Sequence, residues 1–195
     1  MNKIITIGRE FGSGGKYIGE KVAEKLNIPF YDKAIIEKIA KESGLVEDFV
    51  EKFSEYAPRK NIFAYSFVAR DFNGKSIEDY LMNIQRKVII DISKEGSCVI
   101  VGRSADYILK DVADTINVFV YGEKEEKLKR ISELKNIDER KALKLMEETD
   151  KKRSINYKYY TDNIWGDRKN YMLMLNSTKI GIEKSVDIIA SLYWA

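Results

Sequence analysis

Histidine is absent from all 195 residues, and cysteine occurs once, at Cys98. The first absence removes Ser-His and Cys-His nucleophile pairs and any imidazole-bound metal, so proton-transfer work falls to carboxylates. The second removes disulfides, which a chain of this length does not need, because it hides roughly 70% of the surface that its unfolded form exposes. Cys98 lies in the apolar run SCVIVG and reads as a small buried hydrophobe rather than a reactive thiol. Long apolar runs are also missing. The start MNKIITIG is too short for a secretory signal, and no stretch approaches a membrane span, so the expectation is a cytoplasmic protein with no membrane partner. Dense basic tracts are lacking too, which argues against a nucleic-acid partner.

Present instead are 44% apolar and 33% charged residues, the composition of one globular domain spanning 1–195. The net charge of +3 is unevenly placed. Residues 123–170 carry 14 of the 34 basic and 11 of the 31 acidic side chains, so the whole excess sits there. A local cationic segment suits an anionic small ligand; a solvated helical hairpin is the plainer alternative.

Strand and helix patterns alternate along the chain. Lys3 to Gly8 is a β-rich run ending at glycine, and Ile18, Val22 and Leu26 then line one helical face. Asn27-Ile28-Pro29 ends that helix, and PFYD supplies a second strand at the distance a βαβ crossover requires. Residues 33–75 alternate helical patterns with loops and include the aromatic stretch NIFAYSFVARDFNGK, which predicts an inserted helical flap. Ser76 reads as a helix N-cap before the stripe Ile77, Leu81, Ile84, Val88 and Ile92. SCVIVG, TINVFVYG and YMLMLN are further strands, separated by charged helices, and GIEKSVDIIASLYW closes the chain as an amphipathic helix. Strands with near-continuous apolar runs between helices predict an α/β fold with a parallel sheet covered on both faces.

The chemistry-bearing stretch is REFGSGGKY, between the first strand and first helix. A glycine turn at that point gathers backbone N–H groups and a helix N-terminus, which together make an anion site. Gly12, Gly14 and Gly15, with Ser13 among them, allow close approach of a phosphate. The pattern G-x-x-x-x-G-K-[ST] nevertheless fails in either register. Aligned through FGSGG, Gly15 takes the lysine position and Lys16 the hydroxyl position; aligned through Gly15-Lys16, Glu10 replaces the first glycine and Tyr17 the hydroxyl. Lys16 reaching around, or an arginine such as Arg9, would have to supply the missing cation.

The blocks REFGSGGKYIGEKVAEKLNIPFYDKAII, VIVGRSADYIL, DKKRSINYKYY and YMLMLNSTKIGIEKSVDII resemble the cytidylate-kinase-like family. The resemblance implies a P-loop NTPase-like three-layer fold: a five-stranded parallel sheet, a helical NMP-binding flap at 33–75 and a charged helical lid at 123–170. It also implies in-line transfer of a phosphoryl group from ATP, with Mg²⁺, to a nucleoside monophosphate such as CMP. Carried over by position, Arg103 contacts the monophosphate and Asp150 with Arg153 reads the nucleotide. Asp32 and Lys38 become flap-entry contacts, with lysine in place of an arginine, and Arg130 reaches ATP phosphates from the lid. The acidic residue expected after Gly102-Arg103 is Ser104 here, with Asp106 two places on. Lys16, Arg130 and Arg153 are thus the catalytic candidates. Arg9, Gly12, Ser13, Gly14, Gly15 and Lys16 are the candidates for holding ATP, and no metal-ligating residue is expected. Tyr157, Tyr159 and Tyr160 either stack on a base or close a core edge. Alternatives are a nucleotide-binding sensor without turnover and a P-loop kinase for a non-nucleotide acceptor. Oligomeric state is left open.

Overall fold

The computed structural model describes residues 2–54 and 77–195. Five parallel strands form one sheet: β1 (Lys3–Arg9), β2 (Phe30–Tyr31), β3 (Cys98–Val101), β4 (Asp114–Tyr121) and β5 (Leu173–Asn176), in the order β2-β3-β1-β4-β5. The expected parallel α/β sheet is the one observed. Its strands read as apolar runs because helices cover both faces, and side chains alternate between those faces with period two. Ile4, Cys98 and Ile100 enter one core with the helices α2 (Lys33–Ser43), α3 (Glu47–Ser54), α4 (Ile77–Glu95) and α5 (Ala105–Leu109). Ile5, Ile7, Val99, Val101, Val118 and Val120 enter the other, against α1 (Gly15–Leu26) and α9 (Ile182–Trp194). Each fully buried aliphatic side chain contributes roughly 1.5–3 kcal/mol to holding these layers together.

Two features differ from the sequence reading. β1 continues one residue past Gly8, because pairing with β4 runs on to Arg9 opposite Val120. The helices at the start of the expected flap are part of the main core: Ile35, Ile36, Ile39 and Val50 pack with Leu81, Val88, Ile89 and Ile92 of α4. The aromatic stretch and the Ser76 cap fall outside the described residues. Cys98 is buried as expected, and burial pushes its thiol up to about 12.

The charged segment forms α6 (Lys124–Lys135) and α7 (Glu139–Thr161), joined through Asn136 in a left-handed conformation at φ 51°. Their small shared core of Leu128, Ile131, Ala142 and Met146 also takes in Phe11 from the glycine turn. A short 3-10 turn (Arg168–Asn170) and α8 (Ser177–Ile180) flank β5. No described helix is long and apolar enough to cross a membrane.

Candidate active site

Between Arg9 and Gly15 the chain makes a tight loop in which Gly12 (φ 82°) and Gly14 (φ 79°) adopt left-handed backbone. Ser13 is buried at its centre, and its hydroxyl is used internally. Oγ donates to the Glu10 carbonyl at 2.8 Å and accepts from the Gly15 N–H at 3.3 Å. Ser177 on α8 donates to the Ser13 carbonyl at 2.5 Å, fastening the loop from behind. The first turn of α1 therefore presents its unsatisfied N–H groups and positive dipole end at the loop, the arrangement that attracts phosphate oxygens. Lys16 lies on that turn, but its Nζ pairs with Asp32 at 2.6 Å and its side chain is 53% exposed. Two residues read separately as nucleotide contacts thus neutralise each other.

The helices α6 and α7 clamp the loop from the other side. Glu10 accepts from Lys127 Nζ at 2.6 Å and from the Gly122 N–H at 3.2 Å. Arg130 Nη1 donates to the Gly12 carbonyl at 2.7 Å. Asp150 Oδ1 accepts from the Phe11 N–H at 2.8 Å and from Arg153 Nη1 at 3.3 Å, while Arg153 Nη1 also reaches the Arg9 carbonyl at 3.2 Å. Burial raises the Asp150 carboxyl above its ordinary value, opposed by the Phe11 N–H and the Arg153 charge. Read as a nucleotide-reading pair, Asp150 and Arg153 divide: the carboxylate holds the loop backbone, and only the arginine reaches the neighbouring pocket.

That pocket, of about 110 Å³, opens at the carboxyl ends of β1 and β3. These two adjacent strands send their connections to opposite sides of the sheet, which is where open α/β folds bind ligands. Arg9, Arg103, Lys152 and Arg153 bring four cations to its wall, with one buried acid, Asp106. Tyr157 donates its hydroxyl to Asp106 Oδ2 at 2.6 Å. Burial raises the Asp106 carboxyl, and the Tyr157 hydroxyl opposes that rise; burial first, and Asp106 second, also push the Tyr157 and Tyr171 phenols upward. Trp165 and Tyr171 bring aromatic surface, both seated on Phe119 with ring centroids 5.2 and 5.0 Å away.

The turn after β3 is held in an uncommon shape. Gly102 (φ 75°), Arg103 (φ 60°) and Ser104 (φ 52°) are consecutively left-handed. The Gln85 amide of α4 donates to the Arg103 carbonyl at 3.1 Å and helps to fix it. Gln85 Oε1, buried at the same wall, has no hydrogen-bond partner among the described residues.

Of the residues singled out by sequence, Arg9, Arg103 and Arg153 converge in the pocket, and Gly12 to Gly15 with Arg130 make the loop. Lys38 does not join them. It pairs with Glu95 at 3.5 Å and lies 5.4 Å from the centre of the Tyr31 ring, because α2 is packed into the core. Tyr159 and Tyr160 pack edge to face on each other at 4.8 Å, whereas Tyr157 lines the pocket. Sequence reasoning passed over Gln85, Lys127, Trp165 and Tyr171, and it left Asp106 in doubt. The proximity of Asp106 to Gly102-Arg103 was the one local signal available. No cluster of three or more acidic or cysteine side chains suited to a metal ion occurs among the described residues.

Residues 4–179 match the cytidylate kinase-like family. The chain is 28% identical to a cytidylate kinase from Methanocaldococcus jannaschii, over 96% of each protein. It is 30% identical to a cytidylate kinase from Methanococcus aeolicus, over 95% of this chain and 94% of that one. Among solved structures, an uncharacterized protein from Eubacterium ventriosum superposes with a TM-score of 0.74 at 28% identity, covering 100% of this chain and 99% of that one. A shikimate kinase from Acinetobacter baumannii gives 0.53 at 15% identity, covering 100% of this chain and 93% of that one, a likeness of fold alone.

Proposed function

The chain belongs to the cytidylate kinase-like family, and from that premise we propose that it transfers the γ-phosphoryl group of ATP to a pyrimidine nucleoside monophosphate such as CMP. One observation carries the reading: an anion-attracting loop and a pocket with four cations stand side by side at the ends of β1 and β3. Phosphoryl transfer asks little covalent chemistry of a protein. It asks that two anions be held in line and that the charge spreading between them be balanced.

In this reading the ATP phosphates rest on the N–H groups of Gly12 to Gly15, with Arg130 above them. The acceptor's phosphate meets Arg103, Lys152 and Arg153, and its base lies against Trp165. Asp106, buried and hydrogen-bonded to Tyr157, faces the acceptor as a polar contact. Mg²⁺ arriving with ATP would supply positive charge to offset that of the phosphates. The Ser13 hydroxyl is already committed to the loop backbone, so Asp32, paired with Lys16 of the first turn of α1, would be the side chain to help hold the ion. A cytoplasmic setting, where both nucleotides are available, suits this chemistry.

A second reading is a nucleotide-binding sensor without turnover, favoured by the pairing of Lys16 with Asp32. A third, a kinase for a non-nucleotide acceptor, keeps the loop and changes the pocket's occupant. Incubating the purified protein with ATP, Mg²⁺ and a panel of nucleoside monophosphates tests all three. Diphosphate product formed preferentially from CMP is the expected result. ATP binding without any product favours the sensor, and turnover only with other hydroxyl or phosphate acceptors favours the third.

A further inference from the structure

Two glycines border the path of the Arg9 side chain. A Cβ on Gly15 would stand 2.6 Å from Arg9 Cβ and 3.2 Å from its Cγ, and a Cβ on Gly102 would stand 2.0 Å from Arg9 Nη1. The side chain therefore starts against the first residue of α1, beside the phosphate loop, and ends against the turn after β3, in the pocket. Its root is set by the register of β1 on β4, and its carbonyl is held by Arg153 at 3.2 Å. Arg153 also lines the pocket, but its Nη1 is bonded to the Arg9 carbonyl and to Asp150. Lys16 is turned to Asp32, and Arg130 reaches the loop without lining the pocket.

We propose that Arg9 is the catalytic cation of this protein, its guanidinium touching the phosphoryl group as it passes from loop to pocket. The assignment rests on the phosphotransferase reading and deepens it. An oxygen of the acceptor phosphate forms a bond to the γ-phosphorus, the bond from that phosphorus to the bridging oxygen breaks, and ADP leaves with the electron pair. An ionised phosphate acceptor has no proton to surrender, so Arg9 stays protonated throughout and supplies charge and geometry alone. Its planar fork can bond oxygens of two phosphates at once, which a lysine cannot do. The departure from the usual loop pattern then has a steric cause. Any side chain at position 15, lysine included, collides with Arg9 Cβ, so a loop lysine there and any side chain at position 9 exclude each other.

The test compares wild type with Arg9→Met, Arg9→Lys and Gly102→Ala, the last displacing the guanidinium without deleting it; thermal melts identify any variant that fails to fold. With ATP and CMP, Arg9→Met is expected to lose about 10³-fold or more in kcat while each KM moves less than about fivefold. Arg9→Lys should recover less than about a tenth of the activity, since its point charge lacks the fork. A bisubstrate analogue joining adenosine and cytidine through five phosphates should bind Arg9→Met about 100-fold more weakly, a larger loss than ATP or CMP alone suffers. Retention of kcat within about threefold in a folded Arg9→Met or Gly102→Ala protein overturns the proposal. So does a loss confined to one substrate's KM. If wild type phosphorylates no monophosphate, the acceptor reading fails separately, and slow transfer of the γ-phosphoryl group to water, releasing ADP and inorganic phosphate, becomes the readout. A loss of about tenfold or more in Arg9→Met then upholds Arg9, and unchanged hydrolysis overturns it. Wild type that neither transfers nor hydrolyses overturns both.

Discussion

The turns after β1 and β3 lie next to each other at the carboxyl end of the sheet, yet they bend the chain by different means. After β1 the left-handed residues are glycines, Gly12 and Gly14; after β3 the left-handed run passes from Gly102 into Arg103 and Ser104. Glycine accepts that backbone without steric penalty, whereas side-chain-bearing residues held there cost of order 1–3 kcal/mol each. The first turn offers its backbone to a ligand, so side chains would only obstruct it. The second offers side chains, and the strained backbone aims them. Gln85 and the bond from the Ala105 N–H to the Gly102 carbonyl hold it in place.

If this contrast is right, glycine should matter most where both demands meet. Gly102 combines φ 75° with the Arg9 guanidinium 2.0 Å from any added Cβ, while Gly44 has φ 71° and open space. Gly102→Ala is expected to cut kcat about tenfold or more, because the added Cβ pushes the flexible Arg9 tip aside, while it and Gly44→Ala each lose only about 1 kcal/mol in chemical denaturation. Unchanged kcat in Gly102→Ala would show that backbone conformation alone governs both. Next in size is Lys127→Met, which leaves the part-buried Glu10 carboxylate without its partner; about 2 kcal/mol of stability should be lost, with ATP affinity falling more than acceptor affinity. Calorimetric titration of the two ligands measures that split.

Asp106 sharpens the comparison through pH. Burial holds its carboxyl above the value of 3.8 that the unfolded chain would show, so the folded state binds more protons between those two values. Wild-type stability attributable to this group is therefore greatest at acid pH and declines as pH rises through the folded-state value. Asp106→Asn should melt higher than wild type at pH 7–8, with the gap closing towards pH 4, and should transfer phosphoryl groups more slowly. The smallest effect belongs to Ser104→Gly, which relieves left-handed strain and is expected to stabilise by about 0.5 kcal/mol, read from denaturation midpoints, while loosening the aim of Arg103.

The same contrast accounts for what the sequence disclosed. A glycine-rich turn announces itself in one short window, and β1, β3 and β4 were legible because a parallel sheet covered on both faces demands unbroken apolar runs. The pocket is assembled from positions far apart: Arg9 at the end of β1, Gln85 on α4, Asp106 on α5, Arg153 on α7 and Trp165 beyond it. Nothing local marks Arg103 and Ser104 as left-handed, and nothing near Lys16 shows that Asp32 will capture it. Ile35, Ile36 and Ile39 gave the correct helix, but their burial depends on α4, some fifty residues on, which no local pattern shows.

The most direct test of the division between the two turns is a crystal structure of the protein with CMP bound. The account predicts the monophosphate at the second turn, with its oxygens on Arg103, Lys152 and Arg153 and the base beside Trp165, leaving the Gly12–Gly15 loop to ATP. A monophosphate seated in the Gly12–Gly15 loop, with the pocket's arginines turned away from it, would contradict the account.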